Sequence, residues 1–285
     1  MRILRDPPPE LAATYSGAPF AAYAESLDVN WSDDLESLHE ESSRNHFLDV
    51  WTRTAMLDSL VEWLTPKRAP VVLDAGCSSG YLLEDLRAAY PNAQLIGADL
   101  VAAGLFRASE NVPDAELILS DVCDLPLADQ SVDAIVSANL LEHVPDDIGA
   151  LQEFRRVLKP GGLAAIVIPA GPGLYDYYDG FLGHERRYGL RELSRKATSA
   201  GLEVKRDAFL GSFIYPPFWV IKKLNRRRHS GLTDDQAREM VSTNIDRTMD
   251  SKLGAAACAV ERALLRHGVG LPFGIRGLTV VRRPI

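Results

Sequence analysis

Cysteine is scarce: Cys77, Cys123 and Cys258 are the only three in a chain of 285 residues. The count is odd and none stand in C-x-x-C spacing, so neither a disulfide framework nor a cysteine-based structural zinc site is expected. Long apolar runs are missing too. No uninterrupted stretch reaches the ~18 residues a membrane span requires, and the opening Met1-Arg-Ile-Leu-Arg-Asp-Pro-Pro-Pro-Glu10 lacks the apolar core of a signal peptide. A cytoplasmic setting is therefore expected. Positive charge is not in excess: 31 Lys and Arg stand against 39 Asp and Glu, a formal net charge of −8, so no nucleic-acid partner is expected. Internal repeats and low-complexity tracts are absent as well. What remains is an ordinary globular composition, 46% hydrophobic and 25% charged, long enough for one large domain with an elaboration.

The chain is organised around Val71-Val-Leu-Asp-Ala-Gly-Cys-Ser-Ser-Gly80. Three apolar residues, two of them β-branched, read as a buried parallel strand. Asp74 ends it, and Gly76 and Gly80 bracket a tight turn where bare backbone can meet a ligand. Leu82, Leu83 and Leu86 then recur at helical spacing.

Ahead of this unit, residues 1–44 form a Pro- and Ala-rich arm or cover with scattered aromatics, Tyr15, Phe20, Tyr23 and Trp31 among them. A helix is expected from about Asn45 to Leu64, with Phe47, Val50, Leu57, Val61 and Leu64 on its apolar face. Behind it, strand and helix alternate. Gln94–Asp99, Glu116–Asp121, Val132–Ala138 and Leu163–Ile168 read as strands, and Lys159-Pro-Gly-Gly162 breaks the helix before the last of these. That helix is capped by Asp146 or Asp147 and buries Ile148, Leu151, Phe154 and Leu158. A sixth strand lies near Leu202–Asp207 and a seventh at 277–282. Alternation of this kind implies a doubly wound α/β fold, whose ligands bind beyond the carboxyl ends of the strands. Asp74, Asp99, Asp121 and Asn139 all stand at such ends. The expected division is an α/β core over 45–208, a helical insertion over 209–275 and a final core strand over 276–285. The insertion holds Phe213-Ile-Tyr-Pro-Pro-Phe-Trp219, a basic run over Lys222–Arg228, and a helix opened by the capping box Thr233-x-x-Gln236 with Val241, Ile245, Met249 and Leu253 on one face.

With these residues in place, the sequence resembles the class I S-adenosylmethionine-dependent methyltransferases. The carriers are Leu73-Asp-Ala-Gly-Cys-Ser-Ser-Gly80, Asp99, Asp121-Val122, Asn139-Leu-Leu-Glu-His143 and Leu158-Lys-Pro-Gly-Gly162. The resemblance implies a Rossmann-like, mostly parallel seven-stranded sheet with a helical insertion before the last strand, and S-adenosyl-L-methionine as cofactor. One position departs from the family: Ser78 stands where it often has glycine. By resemblance, Asp99 accepts from both ribose hydroxyls and Leu100 follows it. Asp121 meets the adenine amino group and the Val122 N–H the ring. Asp74, Ala75, Gly76 and Gly80 surround the methionine end, where the Asn139 carbonyl receives the ammonium. Arg53 is the candidate partner of the methionine carboxylate, against the alternative of a solvated helix arginine. A nicotinamide or flavin oxidoreductase is the rival reading, but Gly-x-Gly-x-x-Gly is absent.

Methyl transfer needs positioning and, for a hydroxyl or ammonium acceptor, removal of a proton. His143, after the fourth strand, and His184, after the fifth, are the candidate bases. Gly183-His-Glu-Arg-Arg-Tyr188 resembles a segment of a bacterial subgroup of these enzymes. Arg186, Arg187 and Tyr188 there, with Tyr178, are expected to clamp a polar small-molecule acceptor, with an ion-pair cluster through Glu185 and Asp179 as the alternative. No metal is expected, since no His, Asp and Glu stand at ligand spacing in sequence. The expected activity is O- or N-methylation of a natural product or sugar-containing intermediate, the insertion serving as lid or homodimer contact. Two further readings are peripheral membrane contact through Phe213–Trp219 and the basic run, serving a lipid-linked acceptor, and a non-catalytic cofactor-binding scaffold.

Overall fold

The computed structural model describes residues 4–5, 15–24, 44–61, 63–64, 69–189, 191–228 and 251–285. Its frame is one eight-stranded sheet in the order β1-β4-β3-β2-β5-β6-β8-β7. The strands are β1 (Ala21–Ala22), β2 (Val71–Ala75), β3 (Gln94–Asp99), β4 (Glu116–Leu119), β5 (Val132–Ala138), β6 (Leu158–Pro169), β7 (Glu203–Leu210) and β8 (Arg276–Arg282). Every pairing is parallel except those of β8, which runs antiparallel between β6 and β7.

The helices in chain order are α1 (Phe47–Val61), α2 (Tyr81–Ala89), α3 (Ala102–Asn111), α4 (Asp147–Val157), α5 (Tyr177–Phe181), α6 (Glu192–Ser199), α7 (Tyr215–Arg228) and α8 (Lys252–Arg266). They cover both sheet faces, and alternate residues of each strand feed the two layers. Val72 packs with Leu83 and Met56 on one side, whereas Leu73 packs with Phe154 and Leu193 on the other. Continuous apolar strands such as β2, buried at all five positions, are what burial on both faces requires. From β2 the chain winds outward through β3 and β4, then returns to place β5 on the other flank of β2. The carboxyl ends of β2 and β5 therefore border the switch point where such sheets bind ligands.

Several expectations change, among them the burial of Ile148, which is 38% exposed in the first turn of α4. The sheet has eight strands, not seven, because Ala21 and Ala22 of the arm pair with Ile118 and Leu119; a two-residue strand leaves no periodicity to read. Strand β6 begins at Leu158, ahead of the expected start, because Leu158 pairs with Val132 before the register shifts to Ala134 and Leu163. Helix α1 is rotated from its expected face: Val50 and Val61 are 41% and 64% exposed, while Leu48, Trp51, Thr52, Met56, Ser59 and Leu60 are buried. Thr52 and Ser59 belong to the buried face because their hydroxyls donate back to the Leu48 and Ala55 carbonyls, at 2.8 Å each. The expected helix carrying Val241, Ile245 and Met249 lies outside the described residues, and so do its capping pair, Thr233 and Gln236; Leu253 sits in the first turn of α8.

Asp146 caps α4, accepting from the Gly149 N–H at 2.9 Å, and Phe154 on that helix is fully buried. Truncation there deletes a ring that its surroundings cannot replace. Phe154→Ala is expected to lower the unfolding free energy by about 3–5 kcal/mol, read as a fall in urea midpoint at unchanged slope.

Candidate active site

The turn after β2 is built from left-handed residues: Gly76 at φ 80°, Ser78 at 45° and Gly80 at 83°. The Gly76 N–H donates to the Ala98 carbonyl at 2.8 Å. Asp99, at the end of β3, ties this turn to its own strand. One carboxylate oxygen accepts from the Ser78 N–H at 2.8 Å, and the other from Leu100 and Val101 N–H groups at 2.7 and 2.9 Å. Ser78 therefore holds a conformation that glycine adopts more easily, and its N–H bond to Asp99 fixes the turn. Asp121 likewise turns the chain after β4, accepting from the Cys123 N–H at 2.8 Å.

These ends open on a cavity of ≈ 1960 Å³. Ordinary small-ligand pockets run to about 300–1,000 Å³, so this one has room for two ligands side by side. On the β2–β4 flank its wall includes Asp74, Gly76, Asp99, Leu100, Asp121 and Val122. On the β5–β6 flank it includes Asn139, Glu142, His143, Tyr178, His184 and Arg187. Arg53 reaches the wall from α1, with its Nε donating to Asp85 at 2.6 Å and its Nη2 to the Arg44 carbonyl at 3.0 Å. Asn139 adopts φ 52°, unusual for a non-glycine residue and worth noting at a cavity edge.

Asp74 and Glu142 in the wall have carboxylate oxygens that no protein group satisfies. Asp74 is 1% exposed and its Oδ2 has no hydrogen-bond partner. Burial, reinforced by the charge of Asp99, raises its pKa well above the usual carboxylate range. Glu142 is fully buried with both carboxylate oxygens unpartnered, and burial pushes its pKa up to about 8. The rings of His143 and His184 meet edge to face at 4.8 Å, beside Glu142. Tertiary contact thus brings Glu142, His143 and His184 together, a proximity that linear spacing does not show.

Behind His184 lies an ion cluster. Asp179, fully buried on α5, faces the His184 Nδ1 at 3.0 Å and accepts from Arg187 Nε at 2.6 Å and Lys222 Nζ at 3.2 Å. Lys222 also donates to Asp176 at 2.5 Å. Burial works to raise the Asp179 pKa, but His184, Arg187 and Lys222 outweigh it and hold the carboxyl far below the ordinary range. Lys222, first of the basic run expected to meet a membrane surface, is 5% exposed because Asp176 and Asp179 draw it inward.

Four candidate residues stand off the cavity wall. Ala75 is fully buried in the core. Gly80 serves packing, since a Cβ there would lie 3.1 Å from that of Ala108 on α3. Tyr188 is fully buried, its hydroxyl 3.0 Å from the Leu141 carbonyl and 2.7 Å from Asp147. Arg186 donates to the Val144 and Pro145 carbonyls and pairs with Asp147 at 3.0 Å. Arg186 and Tyr188 are therefore corrected from acceptor clamps to a buttress under the loop carrying His143.

Residues 73–166 match the family described as methyltransferase domain. The methyltransferase likeness thus rests on the core of the sheet, from β2 into β6. A mycobacterial relative from Mycolicibacterium smegmatis, named a probable S-adenosylmethionine-dependent methyltransferase, is 29% identical over 67% of this chain and 71% of its own length. An uncharacterised 37.1 kDa transposon protein from Streptomyces fradiae is 34% identical over 53% of this chain; the match spans 48% of that relative, about half its length. In structure, phosphoethanolamine N-methyltransferase 2 of Haemonchus contortus, solved with S-adenosyl-L-methionine, superposes over 89% of this chain and 58% of its own at a TM-score of 0.59 and 16% identity, a likeness of fold. The methyltransferase domain's wall fits its cofactor: an orphaned Asp74 oxygen awaits a donor, and Gly76 presents backbone without a side chain.

The buttress carries a pH signature. Burial alone would raise the Asp147 pKa, but Lys196, Tyr188 and Arg186 reverse this and lower it. The folded state therefore binds a proton there less tightly than the unfolded chain. The stabilisation is complete above the unfolded carboxylate value of about 3.9 and fades as pH falls through the lower folded value. Asp147→Asn is expected to cost about 2 kcal/mol at pH 7, with the gap to wild type narrowing below pH 4 in urea titrations. An equal gap at pH 3 and pH 7 would deny the carboxylate charge that role.

Proposed function

We propose that this chain transfers a methyl group from S-adenosylmethionine to an oxygen or nitrogen of a polar small molecule, such as a natural product or sugar-containing intermediate. The observation that carries the reading is the division of one large cavity. Acids and bare backbone stand on its β2–β4 flank, and a carboxylate with two imidazoles on its β5–β6 flank.

On the first flank, Asp99 stands at the end of β3 as the acceptor for the ribose. Asp121 and the Val122 N–H take the adenine edge, and Leu100 lies along the ring. Asp74 and the Asn139 carbonyl receive the ammonium, with Gly76 allowing close approach. The sulfonium supplies a methyl carbon already activated for displacement. On the second flank, Glu142, His143 and His184 face the acceptor and draw off its proton. Asp179 orients the His184 ring through Nδ1. Tyr178 and Arg187 help to shape the acceptor's side of the wall. Closing residues from α7 and α8, Phe218 and Ala257 among them, exclude water there.

Titration calorimetry tests the cofactor half. Micromolar binding of S-adenosylmethionine and S-adenosylhomocysteine is expected, weakened tenfold or more, ~1.4 kcal/mol, by Asp99→Ala. If neither ligand binds, the reading fails. For the acceptor half, His184→Ala is expected to lower turnover by about 100-fold or more while leaving cofactor affinity unchanged; full turnover would remove His184 from the chemistry.

A second reading is favoured by one feature of α7. Trp219, Val220, Ile221 and Leu224 are 42–54% exposed, and Ile221 also lines the cavity. An apolar rim there suits a lipid-linked acceptor reached at a membrane surface. Among the described residues no helix is long and apolar enough to cross a membrane, so contact would be peripheral. Co-flotation with anionic liposomes is expected on this reading, and a protein that stays at the bottom of the gradient even at low salt excludes it.

A further inference from the structure

Glu142 poses a chemical question that the methyltransferase reading leaves open. It is fully buried, lines the cavity, and has no hydrogen-bond partner on either oxygen. A buried, unpaired carboxylate is costly and persists where something completes it. Beside it stand two imidazoles, and one ligand atom from each of Glu142, His143 and His184 lies within 4.8 Å of the others. His184 has its Nδ1 3.0 Å from Asp179. With the proton on Nδ1, the tautomer that suits that contact, Nε2 carries the lone pair. A histidine bound to a metal almost always shows this support, its other ring N–H held by a carboxylate. Asp179 is itself fixed by Arg187 and Lys222, so the ring is held before any ion arrives.

We propose that Glu142, His143 and His184 bind one divalent transition-metal ion in the wall of the acceptor cavity. Two nitrogens and one oxygen select an ion of the zinc, iron or manganese kind over magnesium, which prefers oxygen throughout. Three protein ligands facing a large cavity leave positions for water or substrate, the arrangement of a catalytic site and not of a closed structural one. Metal–ligand bonds of about 2.0–2.2 Å bring donor atoms closer together than 4.8 Å, so the three side chains draw inward on binding. The role of the ion rests on the proposed methyl transfer: held there, it lowers the pKa of an acceptor hydroxyl. Its binding does not depend on that reading.

Cobalt(II) is the probe. Tag-free full-length protein, stripped with chelator, is titrated with cobalt chloride and followed by visible absorption. The expected result is one equivalent bound with d–d bands, displaced by zinc, and without the thiolate charge-transfer absorption that binding at Cys77, Cys123 or Cys258 would give. Glu142→Gln and His143→Ala should each weaken cobalt binding at least tenfold while both variants still bind S-adenosylhomocysteine, which shows that they fold. Absence of one-equivalent binding, or binding that neither variant alters, overturns the proposal. Cofactor affinity measured on the stripped protein stands apart: its loss would count against the methyltransferase reading, and its retention without cobalt binding would leave His184 to remove the proton unaided.

Discussion

One buried carboxylate sets the geometry of the acceptor side. Asp179 lies on a five-residue helix too short to hold its own position, yet three side chains from three places converge on it. Taking a carboxylate out of water costs several kcal/mol unless cations and donors replace the lost solvent. Here Asp176 and Asp179 supply two negative charges and Arg187 and Lys222 two positive ones, so carboxylates and cations balance. Removing Arg187 or Lys222 would leave an uncompensated buried carboxylate. The consequence is mechanical. Helix α7, which carries Phe218 and Ile221 into the cavity wall, and the imidazole of His184 are fixed by the same ion group and cannot shift independently.

That satisfied cluster gives meaning to the acids that are not satisfied. Asp147 and Asp179 each sit among cations, and their pKa values are lowered. Asp74 and Glu142 are buried without a cation bonded to them, and theirs are raised. All four are buried, so burial alone does not sort them. What sorts them is whether the protein supplies the counter-charge. The first pair holds the loop between β6 and α6 in place; the second pair faces the cavity and waits for groups from outside the chain. A protein that leaves two buried carboxylates unpartnered is less stable for it, and the natural place for that cost is where a ligand completes the pair.

Much of this was legible in the sequence, and the reason is geometric. In a parallel sheet the strands are apolar throughout, so a polar residue closing an apolar run marks a strand end, and strand ends are where ligands sit. Asp74, Asp99, Asp121 and Asn139 could be read in that way without any knowledge of contacts. The acceptor side could not, because it depends on residues far apart in the chain. Lys222 meets Asp179 from 43 residues away, and nothing local marks it as buried. Tyr188 and Arg186 stand in a segment with every appearance of a clamp, but their partner is Asp147, 41 residues from Tyr188, and that pairing turns them from the cavity. The rotation of α1 had a different origin: hydroxyls bonded to their own helix backbone pass as polar in a periodicity count although they pack as apolar groups.

Helix α7 shows the same lesson acting on function. Read along the chain, its aromatics and following cations suggested a surface where charge and apolar area would act together. In the fold, Lys222 is spaced four residues from Phe218, and both turn inward, where the ammonium lies 5.5 Å from the Phe218 ring and 5.1 Å from that of Tyr178. The interior face of the helix is thus the one marked by a buried cation, and Trp219 and Val220 are left on the outer side. Each basic residue near an anionic bilayer contributes about 1 kcal/mol, and the charge of Lys222 is spent on Asp176 and Asp179 instead. Lys223 remains, lying 4.6 Å over the Trp219 ring. Attraction of α7 to a lipid surface would therefore draw on the apolar area of Trp219 and Val220 with no help from the charge of Lys222.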